Sequence, residues 1–320
     1  MVDKADVKAN PTRHKNQQEV EMEDRFQAML GDCLGVMDSI ADGMVDAIIC
    51  DLPYGITSCK WDSVIPLDEL WAQYERVTKP TAAIILTASQ PFTSALLMSK
   101  PEWFRHEWIW IKNRGSNFAN TVREPMKEHE SVLVFCRKTP WTYNKQMQER
   151  TGSGGDRVKY GVAFQSKSEN YREFEDRPHA MLPELRVPSS WQKFNTEVGL
   201  HPTQKPVPLM EYLVRTYTDE NEIVLDNAMG SGTTGVACLN LNRKFIGIES
   251  DLKYFQVAKE RLEKRYSEGI PRPGFRKEII HGSTCPKAPH TRSGYLHGED
   301  DDTPYSVDGL SYCGRCHTSL

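Results

Sequence analysis

The glycine-rich turn at residues 230–235 constrains the fold more strongly than any other feature of this 320-residue chain. Its letters, Gly-Ser-Gly-Thr-Thr-Gly, follow a short apolar run at 223–226 and open a helix predicted at 233–241. Glycine lets the backbone approach a ligand closely, and the N-terminus of a helix favours an anionic group. Glu249 ends the next apolar run, a position from which an acidic side chain accepts ribose hydroxyls. The segment therefore predicts a nucleoside-binding βαβ unit.

The position of this turn, late in the chain, decides how the rest of the sheet is built. By itself the turn is compatible with a nicotinamide or flavin enzyme, or with a merely structural strand-to-helix turn. A dinucleotide fold requires several more strand–helix units after its glycine turn. Beyond Asp251, however, the sequence predicts one helix, 254–266, and a polar tail. The sheet must therefore be completed by upstream strands, predicted at 45–50 and 82–87.

The remaining periodicity fits a doubly wound α/β fold with a mostly parallel, Rossmann-like sheet in permuted order. In such a sheet Asp51, at the end of the first buried strand, and Gly230 lie at the same C-terminal edge, where open α/β sheets bind ligands. The other predicted elements are strands at 107–111, 131–135 and 244–248, and helices at 67–77, 91–98 and 207–218.

Four sequence blocks, in their order along the chain, resemble the β group of DNA amino-methyltransferases. They are Asp51-Leu52-Pro53-Tyr54-Gly55, the His-Pro-Thr-Gln-Lys-Pro segment at 201–206, the block 226–234 and the block 245–249. The resemblance covers the chain from about Leu30 to Arg265. It implies a class I methyltransferase fold with circularly permuted motifs, S-adenosyl-L-methionine as cofactor and double-stranded DNA as substrate. Leu52 departs from the usual proline, but the motif needs only a backbone carbonyl there.

The resemblance also assigns cofactor-binding residues. Asp226, Gly230, Ser231, Gly232 and Thr233 would hold the methionine part of the cofactor, and Glu249 its ribose. Thr203 and Lys205 would close over the cofactor, and Asp32 would reach its adenine end. Two alternatives stay open, with Asp32 as a turn or cap residue and Lys205 as a solvated lysine beside two prolines.

The catalytic residues implied are Asp51, Leu52, Pro53 and Tyr54. An exocyclic amine is a poor nucleophile because its lone pair is delocalised into the ring. The Asp51 carboxylate and the Leu52 carbonyl can accept its two N–H bonds and turn the lone pair toward the methyl group. Pro53 stiffens the turn, and Tyr54 offers an aromatic face to a base flipped out of the duplex. An ordinary β-turn is the alternative interpretation.

The predicted function is site-specific DNA methylation at the exocyclic amine of a flipped base. Adenine N6 is favoured because family members acting on cytosine more often carry Ser at the position of Asp51. Cytosine N4 methylation stays open, and so do two other classes, a nicotinamide-dependent oxidoreductase and a DNA-binding module without catalysis. The resemblance implies a role in a restriction–modification system. It leaves open whether a partner nuclease exists and whether the protein forms a homodimer.

Five segments are predicted along the chain. They are a disordered leader at 1–25, a catalytic half at 26–137, a target-recognition insertion at 138–200, a cofactor-binding half at 201–266 and a flexible tail at 267–320. The whole chain has a net charge of −4, yet residues 101–200 carry 16 Lys/Arg against 13 Asp/Glu. Candidate DNA contacts therefore lie within 112–200, at Arg114, Asn117, Arg123, Lys127, Lys145, Arg186 and Lys193. Aromatic side chains there could stack on bases or form a satellite core, namely Trp141, Tyr143, Trp191 and Phe194.

Composition favours a cytoplasmic protein without a membrane partner. No apolar run approaches the roughly 18 residues of a membrane helix, and the N-terminus carries no apolar signal region. Most of the eight cysteines are scattered through patterned segments, as reduced core thiols are. Cys313 and Cys316, followed by His317, offer half of a zinc site or an incidental motif in a tail, and no metal is assigned.

Overall fold

The computed structural model describes residues 25–55, 62–149 and 185–269, together with the backbone of a short hairpin, Tyr305–Val307 and Leu310–Tyr312. The predicted leader up to residue 24, the centre of the predicted insertion and, apart from that hairpin, nearly all of the predicted tail lie outside the described residues. Cys313 and Cys316 are among the residues that are not described. None of the described helices has the length and apolar content that a membrane crossing requires.

The chain alternates strands and helices for most of its described length. The strands are β1 (Phe26–Leu30), β2 (Val45–Asp51), β3 (Thr78–Ala88), β4 (Phe104–Ile111), β5 (His129–Phe135), β6 (Gln148–Glu149), β7 (Leu185–Arg186), β8 (Trp191–Lys193), β9 (Ile223–Asp226) and β10 (Lys244–Glu249). The helices are α1 (Cys33–Met37), α2 (Leu67–Val77), α3 (Phe92–Ser99), α4 (Val207–Tyr217), α5 (Thr233–Asn240) and α6 (Leu252–Ser267). A short 3₁₀ helix, Phe118–Asn120, lies between β4 and β5.

One sheet contains eight of these strands, in the order β1-β10-β9-β2-β3-β5-β4-β8. The first five strands in this order, β1, β10, β9, β2 and β3, are mutually parallel. β5 runs antiparallel to both β3 and β4, and β8 runs parallel to β4. β9, from late in the chain, pairs with β2, from early in the chain, through Ala47↔Val224 and Ile48↔Leu225. The predicted permuted, mostly parallel sheet is thereby confirmed.

Helices cover both faces of the sheet, as a doubly wound fold requires. Ile48 and Ile49 are consecutive residues of β2, and both are almost completely buried, in different core clusters. Successive strand residues point to opposite faces, so each of these two side chains belongs to the core of one face. α1, α2 and α3 pack on the face of Ile48, whereas α4, α5 and α6 pack on the face of Ile49.

Both edges of the sheet contain strands that the sequence pattern did not predict. β1 is an edge strand whose residues are only partly buried, so it lacks the continuous apolar run of a central strand. β8 has three residues, too few to establish a period, and it lies inside the stretch predicted to be irregular. Trp141 and Phe194 pack against the core under α4, which supports the core interpretation for these two, while Trp191 stays 51% exposed.

The cysteines that the structure describes form no disulfide bonds and are buried. They are Cys33, Cys50, Cys136 and Cys238, all of them free thiols. Burial is the first cause that raises the pKa of each thiol, so these side chains behave as small apolar groups in the core. The predicted core thiols are confirmed for these four residues.

Candidate active site

A cavity of about 860 Å³ opens at the C-terminal ends of β2, β9 and β10, within the roughly 300–1,000 Å³ that small-molecule sites occupy. The structure brings the two distant motifs into this one cavity, as their shared sheet edge predicts. Every predicted site residue except Gly232 lines it, namely Asp32, Asp51, Leu52, Pro53, Tyr54, Thr203, Lys205, Asp226, Gly230, Ser231, Thr233 and Glu249.

Asp51 is the last residue of β2, and its carboxylate is held from three directions. The Tyr54 hydroxyl donates to Oδ1 at 2.7 Å, and the Thr87 hydroxyl, from the neighbouring strand β3, donates to the same oxygen. The Lys205 ammonium donates to Oδ2 at 2.6 Å. Because every donor comes from a different part of the fold, the carboxylate has one orientation, facing the cavity.

Tyr54 is fixed at both its ring and its hydroxyl. The ring stacks on Phe92 with centroids 5.4 Å apart and planes inclined by 24°, and the Lys205 ammonium lies 5.5 Å from the ring centroid. Burial and the negative charges of Asp51 and Glu130 raise the pKa of Tyr54 well above its ordinary value. The phenol therefore remains neutral and keeps donating its hydrogen bond to Asp51.

Lys205 belongs to a buried group of alternating charges that the sequence pattern did not reveal. Its side chain is 6% exposed, and besides Asp51 it contacts Glu130 Oε2 at 3.3 Å. Glu130 in turn forms an ion pair with Lys112, at the start of the loop that follows β4. Burial lowers the pKa of Lys205, but the carboxylates of Asp51 and Glu130 outweigh it and raise that pKa. The interpretation of Lys205 as a solvated lysine is thus wrong.

Glu249 is anchored by the backbone of the glycine turn. Its Oε2 accepts the Gly230 amide at 2.9 Å, and its Oε1 accepts the Asp251 amide at 2.8 Å. The Ser250 amide also acts on this carboxylate, and the roughly four lone-pair sites of its two oxygens leave acceptor capacity for a hydroxyl group. Gly230 itself adopts φ +51°, a left-handed conformation that glycine takes without strain. Burial raises the pKa of Glu249.

Asp226, at the end of β9, is a buried carboxylate without a cationic partner among the described residues. Burial raises its pKa to about 6, although hydrogen bonds from Thr234, Cys50 and the Ala228 amide act in the opposite direction. Beside it, Asn227 accepts a 2.6 Å hydrogen bond from Tyr74. The Nδ2 group of Asn227 is buried with no hydrogen-bond partner in the described part of the chain, at a position that lines the cavity.

Gly232 lies outside the cavity lining, against helix α6. It caps α5 with φ +76°, and a Cβ at this position would come within 3.1 Å of the Ala258 Cβ. Arg261, also from α6, donates to the Ser231 carbonyl at 3.1 Å and to the Thr233 hydroxyl at 3.0 Å. Gly232 thus allows α6 to pack closely on the turn, and Arg261 braces the turn from behind.

The segment before α4 crosses over the glycine turn. The His201 ring contacts the Tyr254 ring with centroids 4.2 Å apart, and it lies 3.8 Å from where a Gly230 Cβ would stand. The Thr203 amide donates to His201 Nδ1 at 3.3 Å. His201 and Tyr254 both line the cavity, but neither was among the predicted site residues. His201 was noted only as the first residue of the matched segment 201–206, and Tyr254 resembles any aromatic residue of an amphipathic helix.

Asp32 combines the two roles between which the sequence could not decide. Its Oδ1 accepts the Leu34 amide at 3.1 Å and the Gly35 amide at 3.3 Å, so it caps helix α1. It also lines the cavity, on the side of β1. The cap interpretation is confirmed, and contact with a ligand stays a prediction.

One side of the cavity mouth is formed by the loop between β4 and β5. Asn117 organises this loop by accepting the Lys127 amide at 2.6 Å and donating to Glu124 at 2.9 Å. Phe118 and Val122 project from the loop and are 79% and 86% exposed. The Arg114 side chain, which lines the mouth, forms no hydrogen bond or ion pair with any described residue.

The fold and the cavity together define a class I methyltransferase. Residues 45–260 match the family of N6/N4 enzymes described as DNA methylase, and the chain belongs to this family. It is 40% identical over 261 residues to the type II methyltransferase M2.LlaDCHI of Lactococcus lactis subsp. cremoris, covering 75% of this chain and 90% of the relative. It is 26% identical over 244 residues to the type II methyltransferase M1.MboII of Moraxella bovis, covering 71% and 92%.

Solved structures show the same architecture. The M1.HpyAVI–SAM complex matches with a TM-score of 0.50 and 28% identity, covering 74% of this chain and 98% of that one. The cytosine-N4-specific PvuII DNA methyltransferase matches with a TM-score of 0.52 and 13% identity, covering 76% and 92%, a likeness of fold alone. The protein is a DNA methyltransferase whose cofactor is S-adenosylmethionine. The residues present fit that cofactor, since the cavity holds two carboxylates without cations and the unpartnered Asn227 amide.

Proposed function

We propose that this enzyme methylates the N6 amine of adenine at specific sites in double-stranded DNA. The observation that carries the proposal is the Asp51 carboxylate, fixed at the end of β2 in the same cavity as the glycine turn and Glu249. Within the family that the chain resembles, enzymes acting on cytosine more often carry Ser at this position. Cytosine N4 remains the alternative target, because the two amines require the same chemistry.

The cofactor-binding roles are assigned to residues at one end of the cavity, away from Asp51. Asp226, Gly230, Ser231 and Thr233 contact the methionine part, and Asn227 offers an unpaired N–H donor to it. Glu249 accepts the ribose hydroxyls with its remaining lone pairs, Asp32 lies toward the adenine, and Thr203 closes the entrance. Gly232 supports this site through the packing of α6 rather than by contact. Lys205 acts on Asp51 instead of on the cofactor.

The chain's own groups orient the nucleophile. The bound cofactor supplies an electrophilic methyl group. Asp51 Oδ2 and the Leu52 carbonyl accept the two N–H bonds of the amine, which directs the nitrogen lone pair toward that methyl group. The Leu52 side chain is buried in the core, so its carbonyl is held in place by packing. Proximity and orientation of this kind account for much of the acceleration in reactions that need no strong base.

A flipped base would stack on the ring of Tyr54. Phe92 supports that ring from one side, and the hydroxyl bonded to Asp51 prevents it from rotating. Stacking of a base on an aromatic ring is worth about 1–3 kcal/mol, comparable to the few kcal/mol that unstacking a base costs. Tyr54 therefore helps to retain the base and presents its amine to Asp51.

DNA binds over the mouth of the cavity, beside the loop between β4 and β5. The side chains of Arg114 and Arg123 form no hydrogen bond or ion pair with the residues that the structure describes, so both guanidinium groups can contact phosphates. Phe118 and Val122 are exposed apolar groups at the same place, suited to enter the space that the flipped base vacates. The target-recognition insertion at 138–200, the cytoplasmic location and a homodimer remain predictions.

The decisive experiment supplies the full-length protein with S-adenosylmethionine carrying a labelled methyl group and duplex DNA containing all short sequences. The DNA is then digested to nucleosides, and N6-methyladenine is the expected labelled product. N4-methylcytosine would transfer the assignment to the alternative, and labelled DNA lacking both products would refute the proposal. Asp51→Ala is the control, in which label should be lost while the protein still binds the cofactor.

A further inference from the structure

Donors already occupy most acceptor sites of the Asp51 carboxylate. A carboxylate offers about four lone-pair sites, two on each oxygen. Oδ1 accepts the hydroxyls of Tyr54 and Thr87, and Oδ2 accepts the Lys205 ammonium at 2.6 Å. Among the described residues no further donor reaches Oδ2. An incoming amine N–H must therefore bind Oδ2, directly beside the positive charge of Lys205.

The positive charge of Lys205 beside the bound amine is unfavourable for the reaction. The amine nitrogen forms a bond to the methyl carbon while the bond between that carbon and sulfur breaks, and the electron pair of the broken bond stays on sulfur. The nitrogen becomes positively charged until it releases a proton to the Asp51 carboxylate. A fixed ammonium group a few ångströms away raises the energy of that developing charge, and burial leaves little solvent to screen it.

Glu130 is placed to cancel this effect. Its Oε2 lies 3.3 Å from Lys205 Nζ, and the two side chains are 13% and 6% exposed. Its other oxygen pairs with Lys112, whose side chain is 8% exposed. The four groups thus alternate in sign from Asp51 through Lys205 and Glu130 to Lys112, and their formal charges sum to zero. Although burial raises the pKa of Glu130, the two ammonium groups hold it below its usual range, so Glu130 is ionised.

We infer that Glu130 is a positioning residue for methyl transfer, holding Lys205 against Asp51 and offsetting the charge of Lys205 next to the reacting amine. This inference rests on the proposed function. A purely structural Glu130 would support folding and binding but would have no selective effect on the chemical step. The two roles therefore differ in what a neutral replacement does to rates compared with affinities.

The test removes the charge of Glu130 and keeps its shape. Glu130→Gln should slow single-turnover methylation of duplex DNA by about 30-fold. The Lys205 charge is then no longer offset, and because it is buried within several ångströms of the reacting amine, it raises the energy of the positive charge that develops there. Dissociation constants for S-adenosylmethionine, by calorimetry, and for DNA should change by less than about twofold. Glu211→Gln is the matched control, since it neutralises a partly buried glutamate on α4 whose partner is Asn240, and it should leave the rate unchanged.

Two further variants separate charge from packing. Glu130→Gln leaves the group with net charge +1, Lys112→Met with −1, and the double variant returns it to zero. The single-turnover rate of the double variant should be about tenfold higher than that of Glu130→Gln, and lower than that of Lys112→Met. If Glu130→Gln does not fold, the comparison between Lys112→Met and the double variant still measures the removal of Glu130.

The pH dependence provides an independent measurement. The groups that face Lys205 are Asp51 and Tyr54 from β2 and the turn after it, Glu130 from β5 with Lys112 behind it, and His201 from its own segment. Without Glu130, Lys205 loses its proton more readily, so the defect of Glu130→Gln should narrow at alkaline pH. An unchanged single-turnover rate in Glu130→Gln, or a defect that is the same at every pH and in the double variant, overturns the inference. Failure of the wild-type enzyme to methylate DNA would instead reject the proposed function.

Discussion

The buried carboxylate of Asp226 should make cofactor binding sensitive to pH. Burial raises its pKa to about 6, and no cation among the described residues stabilises its charged form. In the proposed function Asp226 contacts the methionine part of the cofactor, and we expect it to attract the positively charged amino group there, which requires the ionised carboxylate. As the pH falls through 6, the Asp226 carboxylate becomes protonated in the free protein, and the affinity for the cofactor must fall.

The magnitude follows from the ionised fraction. One pH unit below a pKa, about one tenth of the carboxylate is ionised, and the apparent dissociation constant rises in inverse proportion to the competent fraction. S-adenosylmethionine should therefore bind about tenfold more weakly at pH 5 than at pH 7.5, a difference of about 1.4 kcal/mol. Asp226→Asn should bind weakly at both values and lose most of this difference.

Isothermal titration calorimetry of the DNA-free protein across this range measures the effect directly. Glu249 also has a pKa raised by burial, so its contribution must be separated. 5′-Methylthioadenosine, which retains the ribose and adenine but lacks the amino acid, contacts the Glu249 end alone and should show a smaller pH dependence. A dissociation constant for S-adenosylmethionine that is constant from pH 5 to 7.5, or a full tenfold change retained in Asp226→Asn, would refute the reasoning.

Three further predictions concern other parts of the site. Asp51→Ala should lower single-turnover methylation by about 10³-fold, because it removes the acceptor that orients the amine, with calorimetry showing cofactor affinity within about threefold of wild type. Phe118→Ser should weaken DNA binding several-fold in a fluorescence titration, whereas the exposed Met98→Ser control should not, and equal effects would contradict a DNA-facing loop. Gly232→Ala should destabilise the protein by about 1–2 kcal/mol, because φ is +76° and Ala258 lies against it; an unchanged melting temperature would argue against this account.

The sequence was sufficient to predict the core of the fold, because its evidence was local and strong. The continuous apolar run of β2 and the strand–glycine turn–helix at β9 each carried a recognisable pattern. The scarcity of elements after the turn required these two strands to share a sheet, and their pairing is confirmed. The edge strands carried no such pattern, since β8 has three residues and β1 is half-buried.

The contacts around Asp51 could not be predicted in the same way. Asp51 and Lys205 are separated by 154 residues, and Glu130 sits just before an apolar run like many surface glutamates. Which carboxylate pairs with which ammonium depends on how β2, β5 and the segment before α4 meet in space. The sequence showed which residue types were available near the site, but the identity of the pairs required the three-dimensional arrangement.

The two ends of the cavity treat buried charge differently, and this difference matches the ligands proposed for them. At the cofactor end, Asp226 and Glu249 are buried without a cationic partner among the described residues, which leaves their pKa values raised. Such a site gains most from a ligand that brings its own positive charge. At the base end, Asp51 and Glu130 are balanced by Lys205 and Lys112. A neutral base enters a neutral group of charges there, and Asp51 keeps its carboxylate available as an acceptor. The asymmetry therefore supports the proposed placement of the cationic cofactor at one end of the cavity and of the uncharged base at the other.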